Sequence, residues 1–316
     1  MDNILNVKNM INIKVIGIGG AGNNAVNRMI EDGIDGVEFY ELNTEVKVFE
    51  DAKTKNTMQI GKEITKGLGA GGDVSIGEKA VLENKEEIKN ILQGTDLLFL
   101  TAGMGGGTGT GAIPAVAQIA KEMGILTVGI VSKPFSFEGR IRMAKAERGI
   151  NELRENVNSL IVVLNDNLLK TNKRITLENA FKEADLVLEK GIKGITDQIA
   201  TPGLVNIDFA DIRTIIGYKG NAYMGIGRGK GDNRNDIAVK EAIGNPLTET
   251  TMQGAKGVIV NIAGSAEMPL DEINAIMTVI GDRVDNPEAN IIFGTIIDDS
   301  LQDEIVITVI ATGIEK

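Results

Sequence analysis

Residues 103–111 of this chain read Gly-Met-Gly-Gly-Gly-Thr-Gly-Thr-Gly, six glycines in nine positions. Each glycine inside a regular element costs on the order of 0.5–1 kcal/mol in lost conformational freedom, so such a run belongs where the backbone must turn tightly or lie against a ligand. The apolar stretch Asp96–Ala102 leads into it, and a helix-forming stretch over 112–123 follows. A strand that runs into glycines and then a helix offers free backbone N–H groups at the positive end of the helix dipole, which is a seat for an anion.

A second seat lies upstream. Ile11–Ile18 reads as a buried strand running into Gly19-Gly20-Ala21-Gly22 and a helix from Asn23 to Glu31. Gly17 to Gly22 satisfies G-x-G-x-x-G, and Glu41 follows about 20 residues on, so this segment alone is the fingerprint of a dinucleotide enzyme. The run at 103–111 redirects that reading, because two cradles at neighbouring strand ends suit a polyphosphate better than a dinucleotide crossing once. A third glycine-rich piece, 67–72, could close over the far phosphate. No G-x-x-x-x-G-K-[ST] sequence is present, so a P-loop is excluded.

The remaining pattern alternates strands with helices: strands at 37–42, 126–131 and 159–164, and a basic amphipathic helix at 139–156 that carries Arg140, Arg142, Lys145 and Arg148. That alternation predicts an α/β fold with a mostly parallel sheet covered on both faces. From Thr176 to Ala200 the apolar residues Leu177, Phe181, Ala184, Leu188, Ile192, Ile195 and Ile199 fall three and four apart, one stripe of a long helix that Thr201-Pro202-Gly203 stops. Beyond it, strands at 221–227, 256–263, 289–297 and 304–311 with helices at 232–243 and 270–280 make a smaller second domain. The expected organisation is a nucleotide-binding domain over 11–175, a central helix over 176–202 and a C-terminal domain over 203–316.

Composition removes whole chemistries. Without cysteine or histidine there is no disulfide, no thiol nucleophile, no Ser-His triad and no zinc site built on either residue. A net charge of -11 argues against nucleic acid and acidic membrane as partners. No stretch reaches the roughly 18 apolar residues of a membrane span, which makes the cytoplasm the expected compartment.

Taken in order, GMGGGTGTG (103–111), KVIGIGGAGNNAVNRM (14–29), ITKGLGAGGD (64–73), GILTVGIVSKPFSFEG (124–139), NDNLL (165–169) and TPGLVNIDFADIRTI (201–215) resemble the signature loops of the tubulin/FtsZ superfamily, and most closely its bacterial cell-division branch. The resemblance spans about 11–313. It implies a GTPase that binds GTP or GDP with Mg2+, K+ being a candidate further ion, and that self-associates head to tail into filaments of a mid-cell division ring. An FtsZ-like role in plasmid segregation or cell shape, a GTP-regulated scaffold with little hydrolysis, and a nicotinamide oxidoreductase are the rival readings.

By the same resemblance, Gly19, Gly20, Ala21 and Gly22 meet the phosphates, with Asn24 near the base. Ala70, Gly71 and Gly72 approach the γ-phosphate, while Gly103, Met104, Gly105, Gly106, Gly107, Thr108 and Gly109 hold the α- and β-phosphates, Thr108 through its side chain. Glu138 and Arg142 lie on the ribose and phosphate side, and Asn165 is close to the base. Phe181 stacks on guanine and Asp185, one turn on, accepts from its ring N–H and amino group. Residues at i and i+4 share a helix face, which suits such a pair.

Asn206, Asp208 and Asp211 are the implied catalytic residues, acting on the nucleotide of a neighbouring subunit; the local reading of Asn206 or Asp208 is a helix cap. At 43–45 the chain has Asn-Thr-Glu where the family usually shows Asn-Thr-Asp, so the hydrogen bonding around Asn43 and Glu45 near the ribose is expected to differ. Membrane-tethering partners are implied for the family, through a C-terminal peptide that does not follow Lys316.

Overall fold

Six parallel strands carry the first half of the chain: β1 (Ile13–Ile18), β2 (Glu38–Asn43), β3 (Thr57–Gln59), β4 (Leu97–Gly103), β5 (Leu126–Lys133) and β6 (Ser159–Leu164). A computed structural model describes residues 11–171, 175–200, 204–244 and 247–315. The chain divides into two compact units, one through Lys193 and the other from Gly194.

Within the first unit the strand order is β3-β2-β1-β4-β5-β6, every neighbouring pair parallel. All six residues of β1 and the first six of β4 are buried. That continuous burial is the signature of strands covered on both faces, and it is why they read as unbroken apolar runs. The order reverses direction between β1 and β4, which is where ligands bind in doubly wound sheets.

The helices of this unit are α1 (Gly19–Glu31), α2 (Lys62–Thr65), α3 (Val74–Glu83), α4 (Lys85–Leu92), α5 (Thr108–Glu122), α6 (Arg140–Arg154), α7 (Asn165–Thr171) and the start of α8 (Leu177–Ala200). One sheet face packs Ile16, Ile18, Leu42, Leu98 and Leu100 against Val81 and Ile88 of α3 and α4, Ile113 and Val116 of α5, and Ile150 and Leu153 of α6. Each such side chain contributes roughly 1.5–3 kcal/mol by leaving water. α1 ends where Gly33 takes φ +70, with the Ile34 N–H returning to the Met29 carbonyl at 3.1 Å, a glycine-terminated helix end.

The second unit holds α9 (Phe209–Gly217), β7 (Gly220–Lys230), α10 (Arg234–Ile243), β8 (Gly257–Gly264), α11 (Leu270–Val284), β9 (Asn290–Ile297) and β10 (Glu304–Ile314). Its strand order is β7-β10-β8-β9, with β10 antiparallel to β7 and β8, and β8 parallel to β9. Gly225, Gly227 and Gly229 alternate along one face of β7, and α10 lies directly on them. A Cβ on these glycines would stand 1.7, 1.8 and 1.8 Å from the carbonyl oxygens of Ala242, Ala238 and Arg234.

The α/β class and the smaller α+β second domain agree with the sequence reading. Three details differ. Both glycine-led helices start four residues earlier than their propensity suggests, at Gly19 and Thr108. The segment 46–95, left without elements by the sequence, contains β3 and α2 to α4. Phe181 sits at the margin of the α8 stripe at 40% exposure, while Ala184, Leu188, Ile192 and Ile195 are buried. The helix stop at 201–203 lies outside the described residues, as do the side chains of Leu177 and Ile199.

Candidate functional site

Helices α1 and α5 both begin without a side-chain cap. The first N–H groups of a helix have no partner within it, so two sets of donors stand open at the C-terminal ends of the paired strands β1 and β4. By contrast, Asp73 caps α3 by accepting from Ser75 N–H at 2.9 Å. The two open ends touch: Gly19, at φ +73, has its Cβ position 2.9 Å from the Gly109 nitrogen. A Cβ on Gly103 would lie 2.7 Å from that of Ala21. These glycines are required by contact between the two loops as well as by the ligand they would face.

Around Gly20 and Gly106 a Cβ would meet nothing within 4 Å, so both open outward. Ala21 and Thr108 are half-buried and Asn24 is exposed. Gly22 and Gly109 are buried backbone that shapes the turn. Two of the expected phosphate donors are already engaged. The Met104 N–H donates to Ser132 O at 2.9 Å and its side chain packs in the core. The Gly105 N–H donates to the Thr110 hydroxyl at 2.7 Å. Met104 and Gly105 therefore fix the loop rather than present amides to an anion.

The third glycine piece reaches the same place. Ala70 is buried, its Cβ 2.8 Å from the Cβ position of Gly107, and Gly71 and Gly72 are exposed at φ +59 and +77. Lys145 Nζ donates to Gly72 O at 2.6 Å. A cavity of about 450 Å³ runs outward from Gly71 and Gly72, past Lys145 and Arg148.

The remaining residues line the ends of β5 and β6 and the start of α8. The Glu138 carboxylate accepts from the Phe135 N–H at 2.9 Å and pairs with Arg142 Nε at 2.9 Å. The Arg142 side chain lies over Gly105, whose Cβ position is 2.6 Å from Arg142 Cγ. Asn165 is buried and its Oδ1 has no hydrogen-bond partner, an orphaned acceptor of the kind a nucleobase would satisfy. Phe181 offers a free ring held edge-on by the buried Phe135, centroids 5.4 Å apart.

Asp185 is 8% exposed. Burial pushes its pKa up to about 7, against the opposing pull of Arg28, whose Nε lies 3.7 Å away. Arg28 had no sequence signal, since the pair is joined only once α1 and α8 are known to pack together. Asn43 is buried. Its amide donates to Asn23 Oδ1 at 2.6 Å and its own Oδ1 accepts from the Glu45 N–H at 3.2 Å, so it positions the loop. Thr44, also missed, shares a 2.6 Å hydrogen bond with Thr108. Glu41, the acid that fitted a dinucleotide, is wholly buried with neither oxygen partnered.

In the second unit Asp208 is the N-cap of α9, accepting from the Asp211 N–H at 2.8 Å. The capping expectation is thus met. Asn206, Asp208 and Asp211 are all exposed.

Residues 12–173 match the Tubulin/FtsZ family, GTPase domain, and residues 220–315 the FtsZ family, C-terminal domain. An empty FtsZ dimer from M. jannaschii is 38% identical, with a TM-score of 0.90 over 96% of this chain and 89% of that one. At the level of fold alone, CetZ2 from Haloferax volcanii in a GTPγS-bound protofilament gives a TM-score of 0.83 at 18% identity, over 97% of this chain and 94% of that one. GDP-bound monomeric CetZ1 from the same organism gives 0.82 at 20% identity, over 97% and 95%. With its glycine-looped cleft inside the GTPase-domain match and its second unit inside the C-terminal-domain match, this chain belongs to the tubulin/FtsZ family and is a GTPase.

Proposed function

We propose that this chain is a cytoskeletal GTPase that binds GTP with Mg2+ at the cleft of its first unit and assembles head to tail. The observation that carries the reading is the pair of uncapped helix starts, α1 and α5, in backbone contact at a strand-order reversal. Their N–H groups, the Thr108 hydroxyl and Arg142 would hold the phosphates, and Mg2+ would spread the charge of the triphosphate. Phe181 gives the base a face. Asp185, when ionised, accepts from the guanine ring N–H and amino group, where adenine offers no matching pair of donors.

Hydrolysis needs a water oriented toward the γ-phosphate. Asn206, Asp208 and Asp211 of a neighbouring copy are the proposed source, because all three are exposed and the cap holds Asp208 in one orientation. Each active site would then be shared between two chains, and a head-to-tail contact of this type generates open filaments. The M. jannaschii relative, described as a dimer, and CetZ2, described as a protofilament, support self-association here.

For the cellular role, a cytoskeletal filament serving cell shape or plasmid segregation is the first reading, and a division ring at mid-cell the second; the relatives support self-association in either case. Attachment to a membrane through tethering proteins is part of the proposal; no helix among the described residues is long and apolar enough to cross one.

The test is steady-state phosphate release against protein concentration, with GTP and Mg2+, and with ATP as the comparison. Release that rises steeply above a threshold concentration and requires GTP supports the shared site. Release linear from the lowest concentration overturns it, and tight GTP binding without release would point to a scaffold.

A further inference from the structure

We propose that Thr44 is a positioning residue for the nucleotide: its hydroxyl fixes the direction in which Thr108 donates its proton. The inference rests on the reading of Thr108 as a phosphate contact and deepens it.

Asn43 and Thr44, at the end of β2, join all three glycine-rich pieces. The Asn43 amide holds Asn23 in the first helix at 2.6 Å. The Thr44 carbonyl accepts from the Thr65 hydroxyl at 3.1 Å and from the Gly69 N–H at 3.3 Å, which sets the piece leading to Ala70, Gly71 and Gly72. Finally, Thr44 Oγ1 lies 2.6 Å from Thr108 Oγ1 at the start of α5.

That last bond has a direction that burial decides. Thr44 is 0% exposed, whereas Thr108 is half-exposed at the cleft. A buried hydroxyl that does not donate leaves its proton unpaired, a costly state. Among the described residues, the hydrogen-bond partner the structure gives the Thr44 hydroxyl is Thr108 Oγ1. Thr44 therefore donates and Thr108 accepts. The proton of Thr108 is left over, and the side of Thr108 open to it is the cleft. There it meets an anionic oxygen of a bound nucleotide without first breaking another bond. If Thr44 lost its hydroxyl, nothing would fix the Thr108 hydroxyl in one direction, and its proton could turn away from the nucleotide.

The experiment is a double-mutant cycle on nucleotide affinity, measured by titration of GDP and GTP at low protein concentration, using Thr44→Val, Thr108→Val, the double variant and Thr44→Ser. Valine keeps the shape of threonine and removes the hydroxyl, donor and acceptor together. Each single valine variant should weaken binding by about tenfold, the loss expected for one hydrogen bond to a charged group. The double variant should bind no worse than Thr108→Val alone, because Thr44 acts through Thr108, and Thr44→Ser should bind as the parent does. Unchanged affinity in Thr44→Val, or losses that multiply in the double variant, overturns the proposal while leaving the role of Thr108 standing. If Thr108→Val costs nothing, the phosphate contact itself fails and this inference with it. Should Thr44→Val not fold, Thr44→Ala closes the same cycle.

Discussion

Single residues in the first unit set its response to pH. Glu41 is raised to about 7 by burial alone, Asp185 to about 7 mainly by burial, and Glu189 to about 7 by burial with added repulsion from Asp32. A carboxyl whose folded pKa is raised binds more protons folded than unfolded, so its contribution is fully present below the unfolded value and is lost as pH rises through about 7. For Glu41 the shift from 4.5 corresponds to on the order of 3 kcal/mol above neutrality. The melting temperature should therefore fall between pH 5 and pH 8, and Glu41→Gln should flatten part of that decline, as calorimetry across the range would report. Asp185 acts in the opposite sense on the ligand. In the proposed role it would accept from guanine only as the carboxylate, so GTP affinity should weaken by about tenfold per unit below pH 7, and Asp185→Asn should remove both that dependence and the preference for GTP over ATP. At Asp208 two roles can be separated, because asparagine caps a helix as well as aspartate does. Asp208→Asn should keep the parent's stability and still lose most phosphate release.

At the scale of elements, glycine decides what can lie against what. Replacing Gly227 by alanine would drive a Cβ to 1.8 Å from Ala238 O, so α10 would have to lift off β7. Thermal unfolding should show a loss well above the usual range for a point substitution, more than about 4 kcal/mol. Gly217, with nothing within 4 Å of its Cβ position, should accept alanine with little change. The same residue type explains which elements the sequence disclosed. The two glycine-led cradles and the long apolar stripe of α8 are local patterns, visible without knowing the fold. Their boundaries were displaced because the glycines around Gly19 and Thr108 argue against helix, whereas the loops packed together at the ends of β1 and β4 hold helical turns there. β3, three residues long, is too short to display any period. Arg28 with Asp185 and Thr44 with Thr108 are pairs distant in sequence. Nothing local marks such pairs, and only the packing of α1 on α8, or the arrival of β2 beside α5, creates them.

For the whole molecule, the shared-site reading makes a prediction that no single chain can satisfy. A variant lacking Asp211 and a variant unable to hold nucleotide, each inactive alone, should recover GTP hydrolysis when mixed, because some junctions would join an intact cleft to an intact Asp211. Failure of the mixture, with both variants shown to co-assemble, would mean that cleft and carboxylate must belong to one chain. Such an assembly also has a mechanical side, and the bare contact of α10 on β7 bears on it. Most helices rest on a sheet through a cushion of side chains that can slide and change rotamer. This one meets β7 through three glycines in backbone contact, with the Tyr223 hydroxyl donating to Ala242 O at the end of the row. A helix held this close has no room to shift toward its strand without a backbone clash, so the contact of α10 on β7 is a bolted joint rather than a sprung one.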